Sequence, residues 1–201
     1  VIAKIEQAVS KGGLFALAMP RSAGKTTLVE CACIWSLLYG RREYIVLIGS
    51  DESLAAQMLD TIKSHLVSND LLAADFPEVC YPIRRLDGMA NRCAGQVYGG
   101  KRTMISWTAD HIILPTIAGS KASGGIVQVT GLTGRIRGMK HTRPDGRSVR
   151  PSLVILDDPQ TDESARSLSQ CAYRERIING AVLGLAGPGQ KIAGIMPCTV
   201  I

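Results

Sequence analysis

Two short stretches of this 201-residue chain carry the residue types that phosphate chemistry needs. The first is Met19-Pro20-Arg21-Ser22-Ala23-Gly24-Lys25-Thr26-Thr27, set between an apolar run, residues 14–19 (LFALAM), and a helical pattern. Backbone N–H groups of such a loop and of the helix that follows it converge on an anion. Gly24 lets the backbone come close, Lys25 reaches the β- and γ-phosphates, and the Thr26 hydroxyl is available to Mg²⁺. Arg21, Ser22, Ala23, Gly24, Lys25, Thr26 and Thr27 are therefore the expected cofactor-binding residues. The full pattern Gly-x4-Gly-Lys-Ser/Thr requires Gly at position 19, where this chain has Met19. Read alone, the stretch also suits an ordinary helix N-terminus.

The second stretch is Leu153-Val154-Ile155-Leu156, which runs straight into Asp157-Asp158-Pro159. Two carboxylates at the end of a buried strand are costly unless they find partners, and strand C-terminal ends are where parallel sheets bind ligands. In a P-loop ATPase the first such acid holds Mg²⁺ and the next polarises the attacking water. Asp157 fits the metal role and Asp158 the catalytic one. Asp158 is one methylene shorter than a glutamate, so Glu163 is a second candidate. An acid there also suits the first turn of a helix, where it favours the macrodipole. Without the upstream loop, the pair reads equally well as a turn cap leading into Pro159.

The elements that would position these residues alternate. Residues 1–11 read as an amphipathic helix, with Ile2, Ile5 and Val9 on one face. Residues 14–19, Tyr44–Ile48 and Ser152–Leu156 are apolar runs that fit strands buried on both faces. Lys25–Tyr39 and a segment from Asp51 to about Val67 read as helices, the latter capped by Ser50-Asp51-Glu52. Strands are also expected over Thr103–Trp107, His111–Leu114, Ile126–Thr130 and Lys191–Met196, and a helix over Asp162–Ile178. Residues 69–102 hold scattered Pro, Gly and Arg and give no clear pattern. The sum is an α/β chain with a mainly parallel sheet and helices on both faces, in a single domain over residues 1–201.

Composition agrees. A hydrophobic share of 46% and a charged share of 20% describe a globular chain. No run approaches the roughly 18 apolar residues of a membrane helix. The six cysteines show no metal-ligand spacing and read as reduced, buried thiols. The net charge of +6 points weakly to a polyanion. Arg135, Arg137, Lys140, His141, Arg143, Arg147 and Arg150 face only Asp145 in their segment, which reads as a solvated loop or a phosphate-backbone contact. Aromatics at 4% are too sparse for a base-stacking platform. The first residue, Val1, and the apolar run Ile195–Ile201 suggest a piece of a longer protein.

The loop PRSAGKTT, the segment GLTGRIRGMKH and the stretch RPSLVILDDPQTDE together resemble the ATPase domain of the terminase large subunit, the DNA-packaging motor of tailed phages. Members of that family place an Arg early in a deviant Walker A loop and often lack its first Gly, carry a Gly-Arg-Gly-rich stretch before Walker B, and end an apolar strand in DDP or DE. The likeness runs from about Phe15 to Thr199. It implies an additional-strand, P-loop NTPase core of the RecA/helicase kind, with ATP and Mg²⁺ as cofactors. The strand Lys191–Met196 would lie between the Walker A and Walker B strands and lead into the coupling motif at Pro197-Cys198-Thr199, with Thr199 as its γ-phosphate sensor. Helix Asp51–Val67 would follow a strand that faces DNA. Arg21 becomes a cis arginine finger, with Arg135 and Arg137 as rivals acting in trans, and Gln7 a candidate adenine contact. Implied partners are double-stranded DNA, a portal protein, a small terminase subunit and further copies of the chain in a ring, without a membrane, in the cytoplasm of an infected bacterial host. A nuclease domain is expected downstream; no second acidic cluster within the chain suggests DNA cleavage.

Three other readings stay open. A helicase-like DNA translocase would share the loop and the acids but require a second motor domain. A non-hydrolysing nucleotide- or DNA-binding module would explain Met19 and the short Asp158. A small-molecule kinase lacks a lid-like set of arginines.

Overall fold

In a computed structural model residues 1–199 are described. The chain opens with helix α1 (Ile2–Lys11), strand β1 (Leu14–Met19), helix α2 (Lys25–Leu38), strand β2 (Tyr44–Gly49) and helix α3 (Glu52–Ser68). Short helices α4 (Asp70–Asp75) and α5 (Pro77–Arg84) follow, then β3 (Val97–Tyr98), β4 (Lys101–Arg102), β5 (Ser106–Trp107), β6 (His111–Ile113) and β7 (Ile126–Gly131). The last part holds β8 (His141–Thr142), β9 (Ser148–Val149), β10 (Leu153–Asp157), α6 (Asp162–Ala165), α7 (Leu168–Ile177) and β11 (Ala193–Thr199).

Seven strands form one sheet in the order β1-β11-β10-β2-β7-β6-β5. The five from β1 to β7 run parallel, whereas β6 and β5 are antiparallel additions at the edge. The last strand is thus inserted between β1 and β10, the place expected for it. It starts and ends later than the sequence suggests, at Ala193 and Thr199, because its register follows β1: Leu14 pairs with Gly194 and Met19 with Thr199.

Every residue of β2 is buried. Successive side chains point to opposite faces, so Ile45 and Leu47 join one core while Tyr44, Val46 and Ile48 join another. The first core is roofed by α1, α2, α3 and α5 through residues such as Val9, Leu37, Leu59 and Ile83. Each such fully buried aliphatic side chain contributes about 1.5–3 kcal/mol. The second core is flanked by helix as expected, but only by the end of α7 and the turn that follows it, and loops complete the cover. Leu132, Ile136 and Met139 of the loop after β7 and Val182, Leu185 and Ile192 after α7 close it, with Ile178–Val182 coiled as one π-helical turn.

Three further expectations need correction. The helix over Asp162–Ile178 is broken at Arg166–Ser167, because the Ser167 hydroxyl accepts from Gln170 N and starts α7 afresh. The strand expected over Thr103–Trp107 shrinks to Ser106–Trp107, with Met104 in a left-handed conformation at φ 53°. The unpatterned stretch 69–102 contains α4 and α5; Pro77 stands in the first helical turn of α5, where its missing N–H costs nothing. Helix α3 starts at Glu52, with Asp51 outside it as the cap that accepts from Leu54 N at 2.9 Å. Among the described residues no helix is long and apolar enough to cross a membrane.

Candidate functional site

The loop between β1 and α2 is built by two left-handed residues, Ser22 at φ 63° and Gly24 at φ 72°. A Cβ on Gly24 would meet nothing within 4 Å, so glycine is required there by conformation and not by space. Met19 is buried as the last residue of β1, opposite Thr199, which accounts for a side chain where the full pattern has glycine. Lys25 opens α2 and is only 7% exposed; its Nζ donates to Pro20 O at 3.3 Å and lies 3.5 Å from Asp158 Oδ2. Ala23, Thr26 and Thr27 are exposed at the mouth of the loop.

Strand β10 delivers its acids from 131 residues away. The Thr26 hydroxyl donates to Asp157 Oδ2 at 2.5 Å. The other oxygen of Asp157 is buried and has no hydrogen-bond partner. Burial pushes the Asp157 carboxyl above its ordinary range and the neighbouring Asp158 charge adds to that, while the Thr26 bond and Lys25 oppose it. A buried, unpartnered carboxylate oxygen is costly unless a cation meets it. Together with the adjacent hydroxyl it is the donor set a magnesium ion takes when phosphates and water complete its shell. Among the described residues no cluster of three or more His, Cys, Asp or Glu could hold a metal without such help.

Asp158 has left the strand. Its φ is 41°, unusual for a residue with a side chain, and its N–H donates to Pro197 O at 3.1 Å, tying the turn to β11. Both its oxygens accept from Thr199, one from the backbone N–H at 2.5 Å and the other from the hydroxyl at 2.7 Å. Thr199, Asp158 and Lys25 thus form one connected array. It lines a cleft of about 360 Å³ together with Arg21, Ser22 and Asp162. Cys198 borders the same cleft; burial raises its thiol pKa, and the charges of Asp158 and Asp157 raise it further.

The arginine and glutamate candidates fare less well. Arg21 sits on the rim, and its Nη2 donates to both Asp162 oxygens, at 3.0 and 3.1 Å. The pair is exposed, and such pairs contribute about 0–1 kcal/mol, so Arg21 can leave Asp162 cheaply. Glu163, Arg135, Arg137 and Gln7 do not line this cleft. Glu163 is exposed in the first turn of α6, and Gln7 is exposed on α1, accepting from Lys4 Nζ. In the basic segment 135–150, Arg143 and Arg147 share one carboxylate, Glu43, at 2.5 and 2.9 Å; the Arg143 side chain is mostly buried there, whereas Arg147 stays 60% exposed.

Sequence reasoning missed Glu30. It lies one turn beyond Thr26 on the same face of α2 and is 8% exposed. Burial raises its pKa, a hydrogen bond from Thr61 opposes this, and the Asp157 charge adds to it. Its i+4 spacing from Thr26 was the available signal. No protein-family model matches the chain, and no curated protein matches it in sequence.

Proposed function

We propose that this chain is a Mg²⁺-dependent ATPase of the additional-strand P-loop kind, serving as a DNA-translocating motor like that of a phage terminase large subunit. The observation that carries the reading is the contact between Thr26 and Asp157, which joins the two phosphate motifs and leaves one buried carboxylate oxygen without a partner. ATP phosphates would lie along Ser22–Thr27, with Lys25 on the terminal phosphates. Thr26 and Asp157 would hold Mg²⁺, which supplies charge neutralisation on the transferring phosphoryl group. Asp158 orients the attacking water and takes its proton, and Thr199 fixes the Asp158 carboxylate through both oxygens. Thr199 belongs to β11, so a change at the γ-phosphate reaches the centre of the sheet through that residue. Arg21, released from Asp162, can turn to the transferring phosphate.

Strand order and basic balance support the motor reading over a kinase. The proposed partners are double-stranded DNA, a portal, a small terminase subunit and a ring of further copies, in the host cytoplasm. One observation favours a second reading, the non-hydrolysing binding module: both oxygens of Asp158 already accept bonds.

The test is ATP hydrolysis with and without Mg²⁺ and duplex DNA, beside Lys25→Ala and Asp158→Ala. Turnover that needs Mg²⁺ and is lost in both variants supports the motor. Mg²⁺-dependent nucleotide binding without turnover, unchanged in Asp158→Ala, selects the binding module. Absence of nucleotide binding overturns both.

A further inference from the structure

A second cleft, of about 410 Å³, lies between the loop after β7 and helix α7. Arg135 and Arg137 line it from the loop, and Tyr173 and Arg176 from the helix. The loop is pinned from beneath: Leu132, Ile136 and Met139 are buried in the second core, so the residues on either side of Ile136 point outward. Arg137 reaches across toward the π-helical turn, where a Cβ on Gly180 would stand 3.6 Å from its Nη2. Among the described residues none of the three arginines forms an ion pair with a carboxylate. Arg135 and Arg137 share their basic segment with Arg143 and Arg147, which both pair with Glu43.

We infer that this cleft binds backbone phosphates of duplex DNA, with Arg135, Arg137 and Arg176 as the contacts; the choice of DNA as the polyanion rests on the motor reading. Guanidinium groups meet phosphate oxygens bidentately. The cleft contributes no carboxylate that would hold a metal ion, unlike the phosphate-loop cleft, so an uncomplexed polyanion suits it better than a metal nucleotide. It is concave, and so shaped to receive a ligand, whereas an arginine finger must project. One tyrosine provides no stacking platform, which favours a duplex over a single strand. Helix α7 also reaches the first cleft, because the Arg174 guanidinium donates to Pro159 O beside Asp158.

The experiment is binding of a fluorescent duplex to the full chain without nucleotide, between about 50 and 200 mM salt. Arg176→Gln is compared with Arg147→Gln, which removes the same charge from a residue paired with Glu43. Thermal melting of both exposed-site variants checks the fold. The expected result is an affinity loss of about tenfold in Arg176→Gln and a fall of about one in the slope of log K against log salt. Arg147→Gln should change affinity less than about twofold. Equal effects of the two variants would overturn the cleft in favour of a general positive field. Unchanged DNA binding in Arg176→Gln, with ATP turnover that loses its dependence on protein concentration, would assign the arginines to a neighbouring copy's nucleotide and overturn the DNA inference. Since no nucleotide is present in the binding assay, an inactive ATPase site leaves the result readable.

Discussion

The two clefts to which the 158–177 segment contributes treat their cations in opposite ways. In the first, Lys25 faces Asp158 and Arg21 faces Asp162. In the second, three arginines share a cavity without a carboxylate partner among the described residues. A charge-balanced cleft can take up a polyphosphate together with its metal, because the acids remain to hold the ion. An unbalanced one favours a bare polyanion and is sensitive to salt. The proposed chemistry and the proposed adhesion would thus use the same residue types with a different balance of sign.

Lys25→Ala should have the largest effect, a loss of turnover of about 100-fold or more, because it removes the buried cation proposed to meet the transferring phosphates; retained steady-state turnover would erase the distinction between the clefts. Arg143→Ala tests the paired basic residues. The side chain is 11% exposed and holds Glu43 and Gly124 O. Its removal should lower stability by about 1–2 kcal/mol, discounted for the half-exposed glutamate, with the denaturant midpoint as readout.

Asp157→Asn should uncouple stability from activity. The amide keeps an acceptor for Thr26 but sheds the buried charge, so the fold should gain on the order of 1 kcal/mol while Mg²⁺-dependent turnover disappears. The sign of the pH dependence follows. The folded pKa of Asp157 is raised, so between the unfolded value and the folded one the native state binds more protons, and wild-type stability falls as pH rises through that window. The melting-temperature gap between Asp157→Asn and wild type should widen from pH 4 toward neutrality; a gap constant with pH would refute the buried-charge account. The smallest effect is expected for Asp162→Asn, less than about 0.5 kcal/mol in stability, since its pair with Arg21 is exposed. A freed Arg21 should nonetheless tighten triphosphate binding, read by titration calorimetry.

Much of the parallel half was legible because its signals are local. Continuous apolar runs marked β1, β2 and β10, and the residues that end them marked the candidate site; only β2 and β10 are buried on both faces, because β1 lies at the sheet edge with Leu14, Ala16 and Ala18 exposed. Thr26 and Asp157 were each read as magnesium ligands from their own motifs; their direct hydrogen bond appears only in the structure. The antiparallel edge was less legible: β5 is two residues long, and its partner β6 three, too short for a period to show. Helix α5 hid behind Pro77 and Pro82, the second tolerated inside the helix while Gln96 Nε2 donates to its carbonyl. The pairing within the basic segment was invisible because Glu43, which Arg143 and Arg147 share, lies about 100 residues upstream. Glu30 was passed over because its importance comes from burial beside Asp157.

Strand β11 has a consequence for the order of assembly. Among the described residues the only sheet neighbour of β1 is β11, and Leu14 finds Gly194 at a sequence separation of 180. During synthesis β2, β7 and β10 can associate while β1 waits at the margin. Pairing of such high sequence separation is slow, since loop closure precedes any reward. The loop after β1, the proposed phosphate seat, therefore acquires its shape last, when Thr199 arrives beside Met19 and Asp158. A half-made chain holds both motifs and yet lacks the cleft between them, so the proposed nucleotide site is complete only when the sheet closes.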